Sequence, residues 1–119
     1  MDLQYLEIVT NEVDAVCTTY SKVHGAVFGH PDPNLGNART APLCTGDSGA
    51  KVGVRQPMHD QEKPVVRPYT LTVDIAAAVD SAVEAGATVI VPPMPLGGGL
   101  GSCAVVMLGE MQWGFWQLE

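Results

Sequence analysis

Glu7 is the carboxylate best placed to do chemistry. It lies in Leu3-Gln4-Tyr5-Leu6-Glu7-Ile8-Val9-Thr10, where Leu6 and Ile8 alternate with Tyr5, Glu7 and Val9. A period of two sends the two sets to opposite faces of a strand. If the Glu7 face lines a cleft, the carboxylate serves as a general base or accepts a bond from a substrate's donor group. The alternative is a structural salt bridge, with Arg55 or Arg39 as partner. Gln112 and Trp116 form a second set. Trp113 and Phe115 alternate with them and take the core face, which leaves Trp116 to stack on a planar ligand while Gln112 and Thr72 supply hydrogen bonds.

The other reactive residue types carry less. His24 falls in the last turn of an expected helix, where a cation suits the dipole, and His30 and His59 sit in Pro-containing loops that favour solvated side chains. Cys17 falls on an apolar helical stripe, and Cys44 and Cys103 lie at strand ends with no activating His beside them in sequence. All three read as inert thiols. An odd cysteine count without CxxC, and no export signal after Met1, point to a reducing cytoplasm. Gly97-Gly98-Gly99-Leu100-Gly101 lacks the Lys-Ser or Lys-Thr of a phosphate loop and precedes a strand, so it reads as a lid at a cleft mouth or a plain solvent loop.

The chain that must position these groups has 119 residues and a net charge of −7, with 46% hydrophobic and 16% charged residues. That is enough apolar surface for one packed domain, and too much for a disordered acidic tail. Six Lys and Arg against thirteen Asp and Glu repel phosphate backbones and anionic membranes, which excludes nucleic-acid and membrane partners. No apolar run approaches the roughly 18–20 residues that span a bilayer. A neutral or cationic small molecule fits the charge.

Periodicity divides the chain into two similar halves. In the first, a strand ends at Thr10, Asn11 caps a helix over about 12–24 with Val13, Val16, Cys17, Tyr20 and Val23 on one face, and Gly25 stops it. A short apolar run, 26–29, is broken by a loop over 30–37; two more strands follow over 38–44 and 50–56, joined by the turn at 45–49, and 57–64 reads as a Pro-bounded linker. In the second half Tyr69 to Val73 alternates as a strand, and Asp74 caps a helix carrying Ile75, Ala78, Val79, Ala82 and Val83, which Gly86 stops. Strands over 88–91, 103–108 and 112–118 complete it, the first ended by Pro92-Pro93. Each half reads strand, helix, glycine, then three strands. An internal repeat of this kind predicts an α+β fold: two βαβββ units forming a curved mixed sheet with helices outside and a concave cleft.

In this order the residues resemble the vicinal oxygen chelate superfamily, which includes glyoxalase I, extradiol dioxygenases and bleomycin-resistance proteins. The resemblance spans nearly the whole chain. It is carried by Leu6 to Thr10 with Tyr20 thirteen residues after Glu7, by Pro68 to Ile75, Ala85 to Val89, Pro92-Pro93-Met94, Gly97-Gly98-Gly99 and Trp113 to Gln117. The second half is similar to a glyoxalase-like subgroup, some of whose members are called hydroxylases. The resemblance implies one domain over 1–119, with repeats over about 1–60 and 65–119, and a homodimer.

It also implies metal ligands on the first and last strands of each unit, and there the chain departs from the pattern. The first His position falls on Tyr5, the second on Pro68 or Arg67, the Glu position on Gly114, and the fourth on Gly53 or Arg55. None of these is an ordinary divalent-metal ligand, so no metal and no cofactor is expected. Two functions follow. The first is a metal-free, cytoplasmic binding protein that sequesters a small or cationic organic molecule, as bleomycin-resistance proteins do. The second is a glyoxalase-like lyase, isomerase or hydroxylase acting on a small oxygenated substrate, with Glu7 as its base. The residues expected at the ligand are Tyr5, Glu7, Arg55, Thr70, Thr72, Gln112 and Trp116.

Overall fold

A computed structural model describes residues 1–44, 46 and 49–119. The elements are α+β, as the periodicity predicts: β1 (Leu3–Val9), α1 (Val13–His24), a short 3-10 turn (Pro33–Leu35), β2 (Arg39–Pro42), β3 (Lys51–Arg55), β4 (Val65–Leu71), α2 (Ile75–Glu84), β5 (Thr88–Pro95), β6 (Ser102–Leu108) and β7 (Met111–Gln117). They fall into two compact units, one of residues 5–66 and the other of residues 1–4 with 67–119.

In the unit of residues 5–66 the strand order is β2-β3-β1, with β2 antiparallel and β1 parallel to β3. Leu6 pairs with Val52 and Ile8 with Val54, so all four side chains leave the same face. That face receives α1. Cys17 is buried against Ile8, Ala41, Val52 and Val54, and Val13, Val16 and Tyr20 pack around them. Each such aliphatic side chain, once buried, contributes about 1.5–3 kcal/mol. Gly25 ends α1 in the left-handed conformation at φ 69°, its N–H bonded to Ser21 O at 3.0 Å.

Two expectations are corrected here. The N-cap is Glu12 rather than Asn11, and no side chain caps the first turn; Thr10 Oγ1 instead accepts the Glu12 N–H just outside it. Only two strands follow α1 among the described residues, not three. The apolar run 26–29 reaches β2 through Gly29 N to Thr40 O and Arg39 Nε to Gly29 O, and Pro31 and Pro33 stop it before a ladder can grow. The turn expected at 45–49 falls in part on residues 45, 47 and 48, which lie outside the described residues.

The other unit has the order β4-β7-β6-β5, with β4 and β7 parallel and the remaining pairs antiparallel. Its helix α2 buries Ile75 and Val79 against Ala104 and Phe115. Asp74 caps α2 as expected, accepting from Ala77 N at 3.1 Å, and Gln117 Oε1 accepts from Ile75 N at 2.8 Å. Strand β4 begins at Val65, four residues before Tyr69. Strand β5 does not end at Pro92-Pro93 but continues to Pro95, with register shifts between Val89 and Val91 and between Val91 and Met94. It is the outermost strand of its unit, where residues without an N–H can be absorbed at irregularities in the ladder.

No helix among the described residues is long and apolar enough to cross a membrane. Because α2 depends on Asp74 for a side-chain bond to its first turn, Asp74→Ala is expected to lower stability by about 1 kcal/mol, read as a shift of the urea midpoint at unchanged slope.

Candidate functional site

In each unit the sheet face turned away from the helix carries the polar residues. On β1 and β3 that face holds Tyr5, Glu7, Gly53 and Arg55, with Glu7 in register with Gly53 and Val9 with Arg55. Arg55 is only 4% exposed. Its Nε donates to Glu7 Oε2 at 2.9 Å, and Nη1 and Nη2 donate to the two oxygens of Glu62 at 2.7 and 2.8 Å. Nη1 also reaches Gln56 O at 3.1 Å. The planar guanidinium fork matches a carboxylate in this bidentate way, and such charge-assisted pairs are the strong ones. The bond to Glu62 raises the pKa of Arg55 most; burial opposes it and Glu7 adds to it. The arginine is a permanent cation.

Tyr5 is buried beside this pair, its hydroxyl end seated over Gly53, where a Cβ would overlap it. Burial, and after it the Glu7 carboxylate, hold the phenol well above the ordinary tyrosine range, with Arg55 opposing. It stays protonated.

On β4 and β7 the corresponding face holds Arg67, Tyr69, Gln112, Gly114 and Trp116. Tyr69 is in register with Gly114 and its ring lies over that glycine, so a Cβ there would stand 2.8 Å from Tyr69 Cγ and closer still to the ring edge. Arg67 is buried and donates from Nε and Nη2 to Gln112 Oε1 at 3.1 and 2.7 Å. Trp116 is buried, meets Tyr69 edge to face at 6.0 Å, and donates from Nε1 to Leu100 O at 3.0 Å. The glycine loop is therefore tied down, by that bond and by Leu96 N to Gly101 O at 2.9 Å.

Of the residues expected at a ligand, Tyr5, Glu7 and Arg55 stand together on the helix-free face of the 5–66 unit, and Gln112 and Trp116 share the helix-free face of their own unit. Glu7 takes the salt-bridged alternative, with Arg55 as the partner. Thr70 does not join Gln112 and Trp116: it is in register with Phe115, on the face that α2 covers, with Oγ1 3.5 Å from Gly114 O. Thr72 turns its Oγ1 to the backbone of Asp74 at 3.4 Å. His24 meets Tyr20 edge on, and His59 Nδ1 accepts from Gln61 N at 3.1 Å. Cys17 and Cys103 are buried while Cys44 is exposed, and burial pushes the Cys17 thiol up.

Two polar side chains bonded to these groups, Glu62 and Arg67, are not among the residues expected at a ligand. Glu62 lies in the stretch read as a linker, and no periodicity in an irregular loop marks it. Arg67 was legible, since it shares the Tyr69 face by alternation and β7 supplies Gln112 opposite. A separate depression of about 750 Å³ opens in the unit of residues 5–66 between the start of α1, Asn37, Arg39 and the 56–58 segment. None of the expected ligand residues lines it.

The residues present do not fit the divalent-metal site that the resemblance implies. Tyr5 is a protonated phenol, Arg55 and Arg67 are cations, and Gly114 has no side chain and no room for one beneath Tyr69. Among the described residues no three His, Cys, Asp or Glu side chains gather as a ligand set.

No protein-family model matches the chain, and no curated protein sequence does. Solved structures do. Methylmalonyl-CoA epimerase from Mycobacterium tuberculosis superimposes with a TM-score of 0.69 at 15% identity, over 99% of this chain and 88% of that one. A variant of the Streptomyces coelicolor methylmalonyl-CoA epimerase in complex with 2-nitronate-propionyl-CoA gives 0.74 at 12% identity, over 99% and 94%. A hypothetical protein from Bacillus halodurans gives 0.71 at 16% identity, over 99% and 94%. The chain has the fold of the vicinal oxygen chelate superfamily, to which the methylmalonyl-CoA epimerases belong.

The seat of Tyr69 on Gly114 makes a direct prediction. Gly114→Ala should destabilise the protein by about 1–3 kcal/mol through overpacking. Combined with Tyr69→Ala, which also destabilises alone, it should cost less than the sum of the two, by at least about 0.5 kcal/mol in a double-mutant cycle from urea unfolding.

Proposed function

We propose that this protein binds a small organic molecule without a divalent metal and holds it rather than transforming it, in the manner of the bleomycin-resistance proteins. One observation carries the reading. At Tyr5 and Gly114, where the resemblance places a histidine and a glutamate, the chain carries the members of two tyrosine-on-glycine seats. Each in its own unit, Glu7 with Arg55 and Arg67 with Gln112 are hydrogen-bonded side chains suited to orienting a ligand.

The fold likeness to methylmalonyl-CoA epimerases favours a second reading, an isomerase or related lyase acting on a small oxygenated substrate. In it Glu7 is the base. Its Oε2 is engaged by Arg55, which favours an orienting role for this carboxylate and so favours the first reading. A homodimer in the cytoplasm belongs to the same proposal.

Two measurements test it. Elemental analysis of the purified protein is expected to find no stoichiometric transition metal, and a chelator should leave the melting temperature unchanged. One Ni, Zn, Fe, Co or Mn per chain, lost together with stability, overturns the reading. Light scattering is expected at about twice the chain mass of 12.5 kDa; a particle of one chain mass at micromolar concentration refutes the dimer.

A further inference from the structure

We infer that the guanidinium fork of Arg55 is a receptor for a ligand's carboxylate, and that Glu62 is a built-in competitor which occupies it until the ligand arrives. The inference rests on the proposed binding role of this sheet face and names its ligand class: a carboxylate, in place of the cation that the overall charge suggests.

The segment 56–64 leaves β3 directly after Arg55 and is bounded by Pro57 and Pro64. Its residues 58–61, 63 and 64 are exposed, and Glu62 is the polar side chain that turns inward. Glu62 ties the middle of the strap to the strand beneath it by two bonds to Nη1 and Nη2, while Gln56 O accepts from Nη1 at the strap's start. The same carboxylate closes the strap on itself, because Oε1 also accepts the Met58 N–H at 2.7 Å. Displacing Glu62 would therefore free the Met58 amide and loosen the strap beyond it, with Gln56 still held to Arg55.

Arg55 is prepared for that exchange. Its Nε is held by Glu7 at 2.9 Å independently of the strap, so the guanidinium keeps its plane and an ion-pair partner when Glu62 leaves. Glu62, 17% exposed in its side chain, moves into water and not into the core. An incoming carboxylate would replace the same two parallel bonds. Space for the rest of the ligand lies next to the strap. Gln56, Pro57 and Met58 line the depression of about 750 Å³, as does Gly36. A Cβ on Gly36 would crowd Met58 Cε and stand 3.1 Å from Arg55 Cδ, so the arginine stem lies just behind this wall. Glu12 also lines the depression, as do Asp14 and Arg39, which pair with each other at 3.1 Å. The ligand is thus a carboxylate whose neutral remainder enters the depression beside Pro57 and Met58.

The test uses the whole protein and the straight-chain series from acetate to hexanoate as probe. In the wild type, butyrate should abolish the hydrogen-exchange protection of the Met58 amide while leaving amides of β1 and β3 protected. Glu62→Ala should bind butyrate at least about tenfold more tightly, since a fork that is filled nine-tenths of the time reduces apparent affinity by that factor. Affinity should rise about two- to fourfold per added methylene as the chain enters the depression. An unchanged Met58 amide in saturating butyrate, or an affinity that Glu62→Ala leaves where it was, overturns the inference. Those results leave the metal-free reading standing, whereas a stoichiometric metal removes that reading whatever the carboxylates do.

Discussion

Burying a guanidinium is the constraint from which the polar half of the 5–66 unit follows. A cation at the exposure of Arg55 needs partners in direct contact, since an unpaired buried charge costs several kcal/mol, and here two carboxylates serve. Strand pairing supplies the first: β1 lies parallel to β3 in a register that puts Glu7 on the Arg55 face. The second has to come from outside the sheet, and the segment after β3 supplies it by folding Glu62 back onto the fork. The position of an otherwise irregular stretch is therefore dictated by one side chain's charge.

The two units meet a second problem in the same way. Each begins with a strand that carries a tyrosine on the face away from its helix, and each seats that ring on a glycine of the parallel neighbouring strand: Tyr5 on Gly53, Tyr69 on Gly114. The glycines are required by close approach, not by backbone conformation, because any Cβ would occupy the volume of the ring. This packing changes what the face can do. A phenol held protonated by burial and an arginine bonded to Glu7 and Glu62 are not basic metal ligands.

At 12–16% identity the likeness to the epimerases and to the Bacillus protein lies in the backbone. Alternating apolar residues and capped helices suffice to specify such an architecture, and many side-chain sets on the opposite faces are compatible with it. Shared fold and altered site chemistry are therefore no contradiction.

What was legible in the sequence was whatever a local period encodes. The alternation around Glu7 separated the Leu6 and Ile8 face from the Tyr5 face correctly, the stripe from Val13 to Tyr20 identified the packed side of α1, and Gly25 and Asp74 marked helix ends because their preferences act within a single turn. Even the Glu7–Arg55 partnership could be named as an alternative, since both residues fall on strands. Tertiary structure alone decided the rest. Glu62 finds Arg55 through a chain reversal without periodicity, and β5 runs through its prolines because an outermost strand can forgo their hydrogen bonds. Local preference is written into a few neighbouring residues; contacts between distant segments depend on how far a strand is shifted and where a loop lands, and no single stretch of sequence carries that.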